Sequence, residues 1–281
     1  MSPSPVRPSP RKRAPTSRSA VRPQSVIFSL LAEHLLERDL SLFSGSFIDV
    51  LGRIGIGEHA TRSTLARMTR RGLLVGQRKA RKTYFRLTPR CRAILEDGRH
   101  RIWHMGAVND AQVAHWTLLT FSLPEAWRQK RDDLRARLTW AGFGPLQNGA
   151  WLAPSEIDVR PIVSELGLEK HVRAFHVRPA PPTDAAAVIR DAFDLGALAE
   201  RYRAFSRAWE RPSKRLRDDP LALTLRLSTE WLGIIREDPR VPVQLLPKDW
   251  PAIAAQQLYR GLHGENLPAA QARARDELDV A

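Results

Sequence analysis

The chain has 281 residues, 43% of them apolar and 27% charged, with a formal net charge of +15. That length accommodates two or three compact domains, and no apolar run approaches the roughly 20 residues that a membrane-spanning helix needs, which excludes a helical membrane protein. The single cysteine, Cys91, excludes an intrachain disulfide and a paired-cysteine zinc site and suits a reducing cytoplasm.

The charge is unevenly placed. Residues 1–24 hold six Lys or Arg and no acid, and residues 25–103 hold 15 basic and seven acidic side chains. The other 178 residues hold 24 basic and 23 acidic, so the basic character belongs to the first hundred residues. A localised basic block is the footprint of a polyanion-binding surface.

In chain order, residues 1–24, "MSPSPVRPSPRKRAPTSRSAVRPQ", are rich in proline and serine, lack an apolar cluster and read as a disordered basic arm. Those prolines break the amphipathic helix of an organelle transit peptide, and there is no apolar region of a secretory signal. Residues 25–37 place Val26, Ile27, Leu30, Leu31, Leu35 and Leu36 at helical spacings. Ser44 offers an N-cap for a second helix to about Gly52, with glycines at 52, 55 and 57 marking a tight exit. A third helix is expected over residues 58–71, ending at Gly72, which completes a helix-turn-helix outline.

That third helix has two unlike sides. Arg62, Ser63, Ala66, Arg67 and Arg70 form one polar, basic arc, while Thr61, Leu65 and Met68 face the other way. Arg pairs bidentately with guanine, Ser bonds base edges or phosphates, and Ala leaves room for close approach, as a major-groove helix requires. The expected base-reading residues are Arg62, Ser63 and Arg67. Beyond Gly72, "LLVGQ" and "TYFRL" read as two strands around the tip "RKARK", a basic hairpin. Its Arg78, Lys79, Arg81 and Lys82, with Arg70, are the expected phosphate contacts, supplying affinity without reading sequence. Thr88 and Pro89 then supply the N-cap and first residue of a helix carrying Arg90, Arg92, Arg99 and Arg101. RNA is a poorer partner, because its sequence readers supply aromatic platforms and here only Tyr84 and Phe85 lie in the basic zone.

Further on, residues 116–125 read as a strand, 126–142 as a helix ended by Gly142, and 146–153 as a strand. A short helix over residues 158–168 and a strand at 171–177 complete a small α+β sandwich. A Pro/Ala-rich linker, "RPAPPTDAAA", leads to a helix with Leu195, Leu198, Tyr202, Phe205 and Trp209 on one face, and a second long helix follows from Pro220. Neither GxSxG, Walker A, GxGxxG nor HExxH occurs, and His100 with His104 lacks a third obvious metal ligand, so no catalytic or metal-binding residue is nominated.

Several stretches together resemble the PaaX-type transcriptional repressors of phenylacetic acid degradation: "ATRSTLARMTRRGLL", "YFRLTPRCRAILEDGRHRIW", "WTLLTFSLPEAWRQKRDDLRARLTWAGFGPLQNGAWLAP", "DLGALAERYRAFSRAW" and "EDPRVPVQLLPKDWP". They follow the family's order over most of residues 25–260. The resemblance implies a homodimeric repressor released from DNA by an aryl-acetyl-CoA thioester, phenylacetyl-CoA in the founding members. Where the family has a Val-Arg-Thr-Ala core in the reading helix, this chain has Thr61-Arg62-Ser63-Thr64, a departure that bears on the operator sequence rather than on the fold. Trp231, Arg236 and Arg226 could meet the thioester's aromatic group and phosphates. The central region also resembles ferredoxin-like nucleases of CRISPR adaptation, which hold a metal through an acid at the end of the first strand. Here that strand ends Phe121-Ser122-Leu123-Pro124, and the first carboxylate is Glu125, so nuclease activity is not expected.

The expected fold is therefore α+β: a winged helix over residues 25–105, a ferredoxin-like domain over 110–180 and a helical domain over 185–270. The expected protein is a cytoplasmic, nucleoid-associated, non-enzymatic regulator without a resident cofactor. Its expected partners are double-stranded DNA carrying an inverted repeat, an acyl-CoA effector and a second copy of itself. A metal-dependent nuclease and a non-specific architectural DNA binder are the alternatives.

Overall fold

The computed structural model describes residues 21–109, 115–147 and 149–281, so the expected basic arm lies almost wholly outside the described residues. The chain is a mixed α+β protein with helical regions at both ends and a sheet at its centre, the class expected from sequence.

The first region opens with α1 (Pro23–His34), which starts earlier than the apolar spacing suggests because Pro23 suits the first turn, where no backbone N–H is needed. Its Val26, Ile27, Leu30 and Leu31 are fully buried. After β1 (Leu42–Phe43) comes α2 (Ser44–Arg53), and here the expected Ser44 cap is corrected. Phe43, held extended by pairing with Tyr84, takes the cap position; Ser44 is the first helical residue, and no side chain caps the helix. Gly55, at φ +88°, then turns the chain into α3 (Glu58–Arg70).

Strands β2 (Leu74–Lys79) and β3 (Lys82–Leu87) form an antiparallel hairpin with Lys79 opposite Lys82. The strands extend into the expected tip, leaving only Ala80 and Arg81 as the turn, with Ala80 at φ +54°. Sheet order is β1-β3-β2, and residues 279–281 pair with the free edge of β1: Ser41 and Ala281 exchange both backbone hydrogen bonds at 2.9 Å. Helix α4 (Pro89–His100) is capped as expected, the Thr88 hydroxyl accepting from the Cys91 N–H at 3.1 Å, and continues into a π-helical turn over Arg101–Met105.

The central region runs β4 (Trp116–Phe121), α5 (Arg128–Trp140), β5 (Gly144–Gln147), β6 (Ala150–Ala153), α6 (Arg160–Ser164) and β7 (Val172–Val177). Its antiparallel sheet has the order β5-β6-β4-β7. The single strand expected over 146–153 is instead part of a β5–β6 hairpin, because Gly149 adopts φ +85° and reverses the chain. One sheet face, with Leu119, Trp151 and Ala153, packs on Leu134 and Leu138 of α5 and Val163 of α6.

The Ala-rich end of the expected linker forms α7 (Ala185–Ala192), started by the Asp184 carboxylate accepting from the Ala186 N–H at 2.9 Å. Its Ile189 packs on the other sheet face against Trp116 and Leu152. Helices α8 (Leu195–Trp209), α9 (Lys214–Arg217), α10 (Pro220–Ile235) and α11 (Ala252–Glu277) follow. The predicted α8 stripe, Leu198, Tyr202, Phe205 and Trp209, is buried there against Trp231 and Tyr259. The first and last regions also share a core, since Leu221, Leu225, Ala274 and Leu278 pack with the apolar side of α1 to α4.

Candidate nucleic-acid interface

Helix α3 divides as its sequence requires. Thr61, Thr64, Leu65 and Met68 are buried, and burial of Leu65 and Met68 stabilises the seam by roughly 1.5–3 kcal/mol each. Arg62, Ser63, Ala66 and Arg70 are exposed, and Arg67 is half-buried. Arg62 pairs with Glu58 one turn earlier, Nε to Oε1 at 2.7 Å, with both side chains about 60% exposed. A pair so open to water is worth about 0–1 kcal/mol and yields readily to a stronger acceptor. Arg67 leans back and donates to the Thr64 hydroxyl at 3.1 Å.

The hairpin presents Arg78, Lys79, Arg81 and Lys82, all exposed. Arg78 donates to the Ala80 carbonyl at 3.3 Å, closing the tip on itself. Lys82 is different, because its ammonium meets the Asp279 carboxylate at 2.6 Å, and Tyr84 donates its hydroxyl to the same carboxylate at 3.0 Å. The hydrogen bond from Lys82 holds the Asp279 carboxyl below its ordinary range, and that bond raises Lys82 in turn. Burial, then the bond to Asp279, pushes the Tyr84 phenol up. Tyr84 is buried, and Phe85 is half-buried with its ring edge-on against Phe47.

The eight nominated side chains thus lie on α3 and on the β2–β3 hairpin that follows it, with Gly72, at φ +67°, in the turn between them. Sequence reasoning missed Asp279, whose partner Lys82 lies 197 residues away, beyond the reach of any local pattern. It also missed a second basic stretch, residues 211–217, hidden by averaging over a nearly neutral half of the chain.

A cleft of about 980 Å³ opens elsewhere, where the π-helical turn, α5, α6 and the 238–240 segment meet. Trp140 lines it, with the Arg101 and Arg236 guanidinium groups 4.0 and 5.2 Å from its ring centroid. Trp231, by contrast, is fully buried and stacked on Tyr259 at 5.0 Å, and Arg226 pairs with Glu230 at 2.9 Å. That burial closes Trp231 to a thioester. Cys91 is also buried, which pushes its thiol up to about 11.

A basic helix and hairpin on a helical first region, followed by a central sheet and a helical last region, define a three-region α+β protein. Residues 22–91 match the PaaX-like protein family, 110–189 the PaaX protein central Cas2-like domain, and 193–275 the PaaX-like protein C-terminal domain. The chain belongs to the PaaX family. It is 26% identical over 262 residues to the transcriptional repressor PaaX of Escherichia coli, covering 88% of this chain and 81% of that protein. Its fold is similar to that of an uncharacterized protein from Mycobacterium tuberculosis, with a TM-score of 0.58 and 21% identity over 90% of this chain and 100% of that one.

Proposed function

We propose that the protein is a sequence-specific DNA-binding transcriptional regulator, a repressor whose first region acts as a winged helix. One observation carries this reading: the buried side of α3 is apolar or hydroxylic, while its open side is Arg62, Ser63, Ala66 and Arg70 with Arg67 at the margin. Docked in a major groove, Arg62, Ser63 and Arg67 read base edges, and Arg70, Arg78, Lys79, Arg81 and Lys82 meet phosphates. The family membership and the repressor function named for the Escherichia coli relative support it.

Two copies on an inverted repeat set the spacing of two such helices. The ferredoxin-like central region then serves assembly rather than catalysis; the end of β4 offers no Asp, and Glu125 is exposed and paired loosely with Arg131 at 3.4 Å. An aryl-acyl-CoA such as phenylacetyl-CoA binds the cleft around Trp140, where all three regions meet, and favours a geometry with the wrong spacing. Its leverage equals its differential affinity for the two geometries.

DNase I footprinting on DNA upstream of the protein's own gene tests this. The expected result is protection of two half-sites about one helical turn apart, lost on adding phenylacetyl-CoA. Uniform protection without half-sites would favour the architectural alternative. Trp140→Ala is expected to keep the footprint and lose the thioester response.

A further inference from the structure

We propose that residues 211–217 form a second phosphate-binding surface, which extends the α3 and hairpin interface along the DNA backbone; this deepens the reading of α3 as DNA-facing and rests on it.

The stretch "RPSKRLR" places Arg211, Lys214, Arg215 and Arg217 within seven residues and holds no carboxylate. It stands in a part of the chain where acids and bases otherwise balance, so its composition is local rather than a general solubility charge. All four side chains are exposed, and none forms an ion pair among the described residues. Their protein partners are carbonyls: Arg215 donates to the Arg53 carbonyl at 3.1 Å and Arg217 to the Pro212 carbonyl at 2.5 Å.

Of the neighbouring acids, Glu210 and Asp218 flank the stretch, exposed and with no ion pair to it among the described residues, and Asp219 and Glu277 are committed elsewhere. Asp219 lies 3.5 Å from Arg53 and 3.7 Å from Arg273, and Glu277 pairs with both of those arginines. Two cations at this seam are thus neutralised inside the protein, and the four of residues 211–217 are left for an external anion.

Position makes DNA that anion. The Arg215 bond fixes the stretch at the C-terminal end of α2, and Leu216 packs against the last region's core, so the cations are held on the surface. Only residues 54–57 separate Arg53 from the start of α3 at Glu58, a distance of at most about 18 Å. A helix-turn-helix seats its reading helix by laying the preceding helix across the backbone. Phosphates flanking a groove-docked α3 therefore pass the exit of α2, where residues 211–217 wait. The stretch reads no sequence, because only phosphates come within its reach.

The test is the salt dependence of binding of the full chain to operator and scrambled duplexes, by fluorescence anisotropy between 50 and 200 mM KCl. Arg211→Gln, Lys214→Gln and Arg217→Gln together retain the Arg215 anchor. Each phosphate contact contributes about 0.9 to the log-log slope, so the triple variant should lose about 2 to 3 units on both duplexes and keep the wild-type ratio between them. A control with Arg128→Gln, Lys130→Gln and Arg135→Gln on α5 removes the same charge and should leave the slope within about one unit of wild type.

An unchanged slope in the first variant, or equal losses in both, would overturn the proposal. Substituting Arg211 and Arg217 by Lys retains charge and should restore the slope, which separates lost contact from lost folding. If wild type showed no preference for operator, the reading of α3 would fall; if it did and the first variant matched it in slope, only this proposal would.

Discussion

At the scale of single residues, Arg62 and Arg67 carry the argument. Among the described residues, Arg62 is held by an exposed pair with Glu58 and Arg67 by a bond to Thr64. Replacing either by Ala should cost about 1–3 kcal/mol on the operator and little on random DNA. Equal losses on both DNAs, measured by titration, would contradict base reading. These two arginines were legible in the sequence because helix periodicity alone separates them from Leu65 and Met68. Their present partners were not, since a wheel places side chains without saying which way a guanidinium leans. Cys91 is buried on the inner side of α4. With burial raising its thiol to about 11, the native protein should resist iodoacetamide at pH 7.5 and react promptly in 6 M guanidinium. Fast labelling of the native state would place Cys91 at a reactive surface instead.

At the scale of elements, the hairpin shows how a local reading succeeds and then stops. Alternation and the flanking Gly72 and Thr88 marked both strands, yet the tip is narrower than its run of polar residues suggested, because Ala80 adopts a positive φ that glycine or asparagine normally signals. The sequence reading also merged the end of β5 with the whole of β6 across the Gly149 reversal. More consequential is the contact of residues 279–281 with β1, which sets Asp279 against Lys82. That carboxylate occupies a cation that the proposed function assigns to phosphate. Asp279→Asn should therefore strengthen binding to any duplex and steepen the log-log salt slope by about one unit, and Lys82→Ala added to it should flatten the slope again by about one. Unchanged slopes for both variants would remove Lys82 from the DNA-contacting set.

At the scale of the whole molecule, the first and last regions are joined more closely than a chain of separate domains would be. Helix α1 meets α10 through Ser29 and Thr229, 2.9 Å apart with both buried, and the Ser228 hydroxyl donates to Glu33 at 2.6 Å. The shared core adds Leu221, Leu225, Ala274 and Leu278 to the apolar side of the first region. A fragment ending at residue 105 loses this cover and should melt well below the full chain in circular dichroism; an equal melting temperature would show that the shared core contributes nothing. Such a joint connects the Trp140 cleft to the first region, because the π-helical turn that lines it continues α4. None of this was legible in the sequence, where patterns of 2 and 3.6 residues identify faces but not what covers them. The central claim, that the basic helix and hairpin read a DNA sequence, is tested most directly by fluorescence anisotropy at physiological salt on the duplex upstream of the protein's own gene against a scrambled duplex. The account predicts binding to the first that is at least about a thousandfold tighter. Equal affinity for the two duplexes would contradict it.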